Sequence, residues 1–121
     1  MNITDIKLNP KQSIFGLIGN ICNEPNFLID SDVHLNDKDF VTNLHRIVFM
    51  AINNIISDNG TVKSITEFDI DTYLKQSDTY YKIWQNDDGI KFIQDAKRLA
   101  NKDLFFENYH TIKKNAILRK Y

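Results

Sequence analysis

The sequence predicts an all-α fold, a compact orthogonal bundle of about six or seven helices, from three observations. Apolar residues recur every three or four positions through most of the chain, the signature of helices that bury one face. Only four Gly and two Pro occur in 121 residues, where a sheet protein of this size needs more turn punctuation. The apolar fraction is 42%, with eight Phe, five Tyr and one Trp, enough for one continuous core in a single domain.

Asn9 and Pro10 are expected to serve as the cap and first residue of the opening helix, since proline lacks the amide hydrogen that a first turn leaves unpaired anyway. Ile14, Leu17, Ile18 and Ile21 then form a stripe, widened by Phe15, until Asn23, Glu24 and Pro25 stop it. Phe27, Leu28 and Ile29 make a one- or two-turn helix before the polar Asp30, Ser31 and Asp32. The strongest periodicity runs from about Asp39 to Ser57 through Phe40, Val41, Leu44, Val48, Ala51, Ile52 and Ile55. Asn59 and Gly60 are expected to close this central helix, because both tolerate the left-handed conformation.

Thr61 to Ile65 resembles a strand but has no pairing partner, so it is expected to be a loop. A helix is expected over Glu67 to Gln76, burying Phe68, Ile70 and Leu74. Ser77 and Asp78 offer a cap for a short helix with Tyr80, Tyr81, Ile83 and Trp84, broken at Asn86, Asp87, Asp88 and Gly89. Ile90, Ile93, Ala96, Lys97 and Ala100 line one side of the next helix. The last starts near Lys102 or Asp103 and carries Phe105, Tyr109, Ile112 and Ala116. It shows no stop signal before Tyr121, and Ile117, Leu118 and Tyr121 lie around a second side of it. An apolar group displayed there is a candidate partner-binding surface, unless these residues fold back on the core.

Charge is nearly balanced, 15 Lys plus Arg against 16 Asp plus Glu, so no global field draws the domain to a phosphate backbone. Cys22 is the only cysteine, which excludes an internal disulfide and a cysteine-rich metal site. Met1 to Leu8 lacks the features of an export signal, and no stretch has the roughly 18 apolar residues of a membrane span. The chain is expected to be soluble and not exported.

No catalytic, cofactor or metal site is expected. Gly60 precedes Thr61, whereas a phosphate loop places lysine after its last glycine. Gly16 and Gly19 sit inside a helix, where small residues let a neighbouring helix come close. His34, His45 and His110 are scattered without a second ligand at helical spacing. His45 stands beside Arg46 and one turn before Phe49, where an imidazole fixing a backbone carbonyl has a structural role. Asp69 with Asp71, or Asp87 with Asp88, resemble paired catalytic carboxylates, but caps and polar loops account for them. Lys113, Lys114, Arg119 and Lys120 lie near Phe105, Phe106 and Tyr109, a pairing that suits nucleic acid but also complements a helix dipole.

Four phrases in order carry a family resemblance: "KQSIFGLIGN" (Lys11 to Asn20), "DFVTNLHRIVFMAI" (Asp39 to Ile52), "DIDTYL" (Asp69 to Leu74) and "FFENYHTIKKNAILRKY" (Phe105 to Tyr121). Together they resemble the N-terminal domain of DnaB-type replicative DNA helicases, in the phage or Gram-positive branch, over nearly the whole chain. The family's Asp-Phe, His-Arg and following Phe match Asp39, Phe40, His45, Arg46 and Phe49, and its Leu-Arg ending matches Leu118 and Arg119. The family often has an acidic residue where Lys11 and Gln12 stand, and "WQNDDGIKFI" corresponds only loosely.

The resemblance implies a collar that helps a hexameric ring assemble and docks primase and, in some systems, a helicase loader. It also implies a globular helical head over residues 1–104 and a C-terminal helix over 105–121 that starts a truncated hairpin or linker. The ATP-driven motor would lie elsewhere, so this segment would be non-catalytic. Its expected setting is the cytoplasm of a bacterium, or of the bacterial host of a phage. A free-standing helical adaptor for a replication factor and a small helical DNA-binding domain remain the alternatives.

Overall fold

The computed structural model describes residues 10–29 and 33–119. They form seven α-helices: α1 (Lys11–Asn23), α2 (Asn26–Ile29), α3 (Asn43–Asp58), α4 (Glu67–Leu74), α5 (Asp78–Asn86), α6 (Gly89–Leu99) and α7 (Phe105–Arg119). Two 3-10 turns, Asp37–Asp39 and Lys102–Leu104, precede α3 and α7, and no strand occurs among the described residues. The expected all-α bundle is observed, and Thr61 to Ile65 is a loop.

Helix α1 is the axis, packed most extensively against α6 and α7. The expected stripe of Ile14, Leu17, Ile18 and Ile21 is at most 2% exposed, yet Gly16, Gly19, Asn20 and Cys22 are buried as well. Burial on nearly every side is possible because the glycines remove bulk. A Cβ at Gly19 would fall on the backbone carbonyl of Ala96 in α6, and one at Gly16 on the Asn108 amide in α7. The polar residues of α1 then serve its neighbours: Asn23 Nδ2 donates to the Lys97 carbonyl at 3.1 Å and Asn20 Nδ2 to that of Asn101 at 3.0 Å. The Lys97 carbonyl is one that the end of α6 leaves without a helical partner.

A second layer packs α3 against α4 and α5, and α6 touches both α4 and α5. Several boundaries differ from the sequence expectation. Asn9 lies outside the described residues, as do Asp30 to Asp32, and Pro10 precedes α1 instead of opening it, its carbonyl accepting Ile14 N–H. Helix α3 starts at Asn43, not near Asp39, because Asn36 and Asp39 cap the 3-10 turn between them. Side chains that bond nearby backbone in this way compete with helix. Phe40 is therefore extended, and Val41 is 41% exposed instead of joining the stripe.

The end of α3 is not left-handed: Asn59 has φ −145° and no described glycine has a positive φ. The Asn59 side chain instead accepts from Thr61 N and Oγ1. Helix α4 stops at Leu74, two residues early, and Phe68 is 63% exposed, because an eight-residue helix can bury only the face of Ile70 and Leu74. Trp84 in α5 is buried, its indole N–H donating to Asp71 at 2.8 Å. Phe92, absent from the expected stripe of α6, is buried against Phe15 at 4.9 Å. Phe105, Ile112 and Ala116 are buried too, so packing is continuous across the expected boundary between residues 104 and 105.

Alanine in place of Gly19 is expected to destabilise the domain by about 1–3 kcal/mol, because a backbone carbonyl cannot yield and the helices must part. Alanine at Gly16 meets only the tip of a flexible amide, and the lower chain entropy of alanine then makes it near neutral or stabilising by up to about 1 kcal/mol. Thermal unfolding of the two variants distinguishes these signs.

Candidate functional site

Asp39, Phe40, Arg46 and Phe49 converge on the joint between the 3-10 turn, α3 and α7. Asp39, 8% exposed, accepts the Asn36 backbone N–H at 3.0 Å and pairs with Lys113 Nζ of α7 at 3.1 Å. The Phe40 ring lies 5.3 Å from that of Phe49, and the Phe40 carbonyl accepts from Arg46 Nε at 2.7 Å. The Asp-Phe, Arg and Phe positions thus fix how the chain enters α3 and where α7 rests.

His45 is 7% exposed and sits 5.1 Å from the Phe92 ring. The expected bond from its imidazole to a backbone carbonyl is not observed, and Nδ1 is buried without a hydrogen-bond partner. Burial, with a smaller contribution from the Lys11 charge, lowers its pKa to about 4 against the opposing effect of Asp87. His45 is therefore a neutral, ring-packed residue at pH 7, where a charged imidazole would lack compensation.

The other chemically suggestive groups have structural work. Asp69 and Thr66 form a reciprocal cap on α4. Burial alone would raise the pKa of Asp71, but hydrogen bonds from Trp84, Tyr81 and Lys75, with the Lys75 charge, hold it below its ordinary value. Asp87 and Asp88 form the exposed break before α6, Asp88 with φ 55°. Burial pushes the Cys22 thiol up to about 12 despite Lys97 nearby, so it is no nucleophile. The His34 backbone N–H donates to the Tyr109 hydroxyl at 3.2 Å. No group of three metal-ligating side chains occurs among the described residues, and none of their helices is long and apolar enough to cross a membrane.

On α7, Ile117 is 55% and Leu118 45% exposed, while Tyr121 lies outside the described residues. Phe106, 52% exposed, stands three turns before Ile117 on the same side, with His110 between them. The sequence places Phe106 beside the basic residues and does not join it to Ile117, because adjacent Phe105 and Phe106 compete for one inward position. Of the basic residues, Lys113 is committed to Asp39 and Lys114 is exposed, while the Arg119 side chain and Lys120 lie outside what the structure describes. The described part of α7 therefore carries an exposed apolar side.

No family model and no solved structure matches the chain. It is 32% identical over 114 residues to the SPbeta prophage-derived uncharacterized protein YorI of Bacillus subtilis (strain 168). The match covers 93% of this chain and 22% of that protein, so the chain spans about a fifth of the length of its curated relative.

His45 makes stability depend on pH. Its folded pKa lies below the ordinary 6.5, so the unfolded state binds the proton more tightly. Its contribution is complete above about pH 6.5 and is lost as pH falls toward 4. Urea unfolding is expected to show a loss of about 2 kcal/mol between pH 7.5 and 5. His45→Leu is expected to remove most of that slope; an unchanged slope would refute the assignment.

Proposed function

We propose that this chain is the N-terminal collar domain of a DnaB-type replicative DNA helicase of phage type, supporting ring assembly and docking primase or a helicase loader. It carries no ATPase chemistry of its own. The observation that carries this reading is α7: one side of it is locked into the core along its length by Phe105, Ile112 and Ala116, while Phe106, Ile117 and Leu118 stay exposed on the same helix. A helix anchored on one side and apolar on another suits an element that continues into packing with a further helix or subunit.

Two further observations support it. Asp39, Phe40, Arg46 and Phe49, four of the positions that carry the resemblance, build a structural joint, as expected of a scaffold whose chemistry lies elsewhere. A much longer prophage-derived relative matches this chain over about a fifth of its length, leaving room in that relative for a separate motor. Free-standing adaptor and DNA-binding readings share the fold, but the second loses Lys113 to the Asp39 ion pair.

Light scattering across a concentration series, comparing this chain with a form extended through its natural reading frame by one helical hairpin, tests the proposal. The extended form is expected to assemble into dimers, trimers or hexamers, and the short form to associate only weakly. Ile117→Ser with Leu118→Ser is expected to weaken assembly of the extended form at least about tenfold while leaving the melting temperature of the weakly associating short form nearly unchanged, since exposed apolar contacts matter only at an interface. A natural frame that stops, or an extended form that stays monomeric at high concentration, would favour the adaptor.

A further inference from the structure

We propose that the groove between α3 and α5 docks a short segment of a partner protein in which a carboxylate stands beside one or two aliphatic side chains. Buried Ile47 and half-buried Met50 and Ile83 give the groove an apolar floor. Exposed Asp37, Asn43, Arg46 and Tyr80 line it above them. Its volume, about 270 Å³, falls just below the roughly 300–1,000 Å³ of sites that enclose a small-molecule ligand. Peptide side chains fit that space better than a cofactor does.

Arg46 decides the charge of the occupant. Its Nε is spent on the Phe40 carbonyl at 2.7 Å, which holds the guanidinium in place. Among the described residues no carboxylate, Asp37 included, lies within ion-pair distance of it. Its terminal nitrogens are left open, and such an edge takes a carboxylate through two parallel N–H···O bonds. Because the side chain is already held, less rotamer freedom is lost on binding.

The Tyr80 hydroxyl and Asn43 amide make no hydrogen bond among the described residues and are available to a peptide backbone, while Asp37 can accept its N–H groups. None of these residues belongs to α7, so the docking stands or falls separately from ring assembly.

The test is an amide NMR titration of the intact chain with acetyl-Asp-Leu-Leu-amide, its Asn-Leu-Leu and Asp-Ser-Ser counterparts, and a short single-stranded oligonucleotide. Saturable shifts are expected at Arg46, Met50, Tyr80 and Ile83, with the first peptide binding at least about tenfold tighter than the others. Arg46→Gln is expected to abolish the preference for Asp over Asn, and Arg46→Lys to weaken it, since lysine cannot form the fork. Tyr80→Ala, at an exposed side chain, is expected to weaken binding severalfold with an unchanged melting temperature, which keeps the test valid should the Arg46 variants unfold. Equal binding of the Asp and Asn peptides, shifts centred elsewhere, tighter binding of the oligonucleotide, or no saturable shift at millimolar peptide would overturn the proposal.

Discussion

The close approach of α1 to α6 at Gly19 is the constraint on which the other packing depends. With the Ala96 carbonyl occupying the space a side chain would need, α1 sinks between α6 and α7 and presents apolar groups in almost every direction. Its few polar side chains are then drawn into service: Asn20 and Asn23 bond backbone carbonyls at and beyond the end of α6. Ile65, fully buried in the loop before α4, is tied in at both backbone ends, its N–H to the Cys22 carbonyl and its own carbonyl to Lys97 Nζ. One glycine thus sets a helix spacing, and the spacing places a loop and the start of the second layer.

The second organising element is the joint at Asp39 and Phe40. Here the chain leaves a 3-10 turn, crosses the three residues Phe40 to Thr42 and enters α3, and each change of direction is held by a named bond. Asp39 reaches across to Lys113, Arg46 reaches back to the Phe40 carbonyl, and the Phe40 ring rests beside Phe49. The pair between Asp39 and Lys113 is partly shielded from solvent, so breaking one partner costs more than an exposed pair would. Such a joint connects the surface of α3 to the position of α7. Under the collar proposal, partner binding on one helix and subunit contact through another are thereby linked by a short physical path.

Residues that suggested chemistry proved to be structural for reasons sequence spacing does not contain. A carboxylate pair becomes catalytic only if both groups face one cavity, whereas Asp69 caps its own helix and Asp71 holds the Trp84 indole. His45 occupies a position where either a carbonyl or a ring could be its neighbour, and the neighbour is Phe92, from a helix more than forty positions later. The surface of interest lies in what stays uncovered: Ile117, Leu118 and Phe106 on α7, and the groove beside Arg46.

Legible in the sequence alone were the helical class, the apolar stripes of α1, α3 and α7, the cap at Ser77, and the placement of Ile117 and Leu118 on a second side of the last helix. These follow from the 3.6-residue period and from backbone groups satisfied within a few positions. Tertiary structure alone decided that Phe92 is buried in α6 while Ile90 is only half-buried, that Phe68 faces solvent, that Lys113 pairs with Asp39, and that Arg46 borders a groove with Tyr80. Each of these depends on which distant helix arrives opposite a residue. Local periodicity states that a face must be covered; only the packed chain states by what.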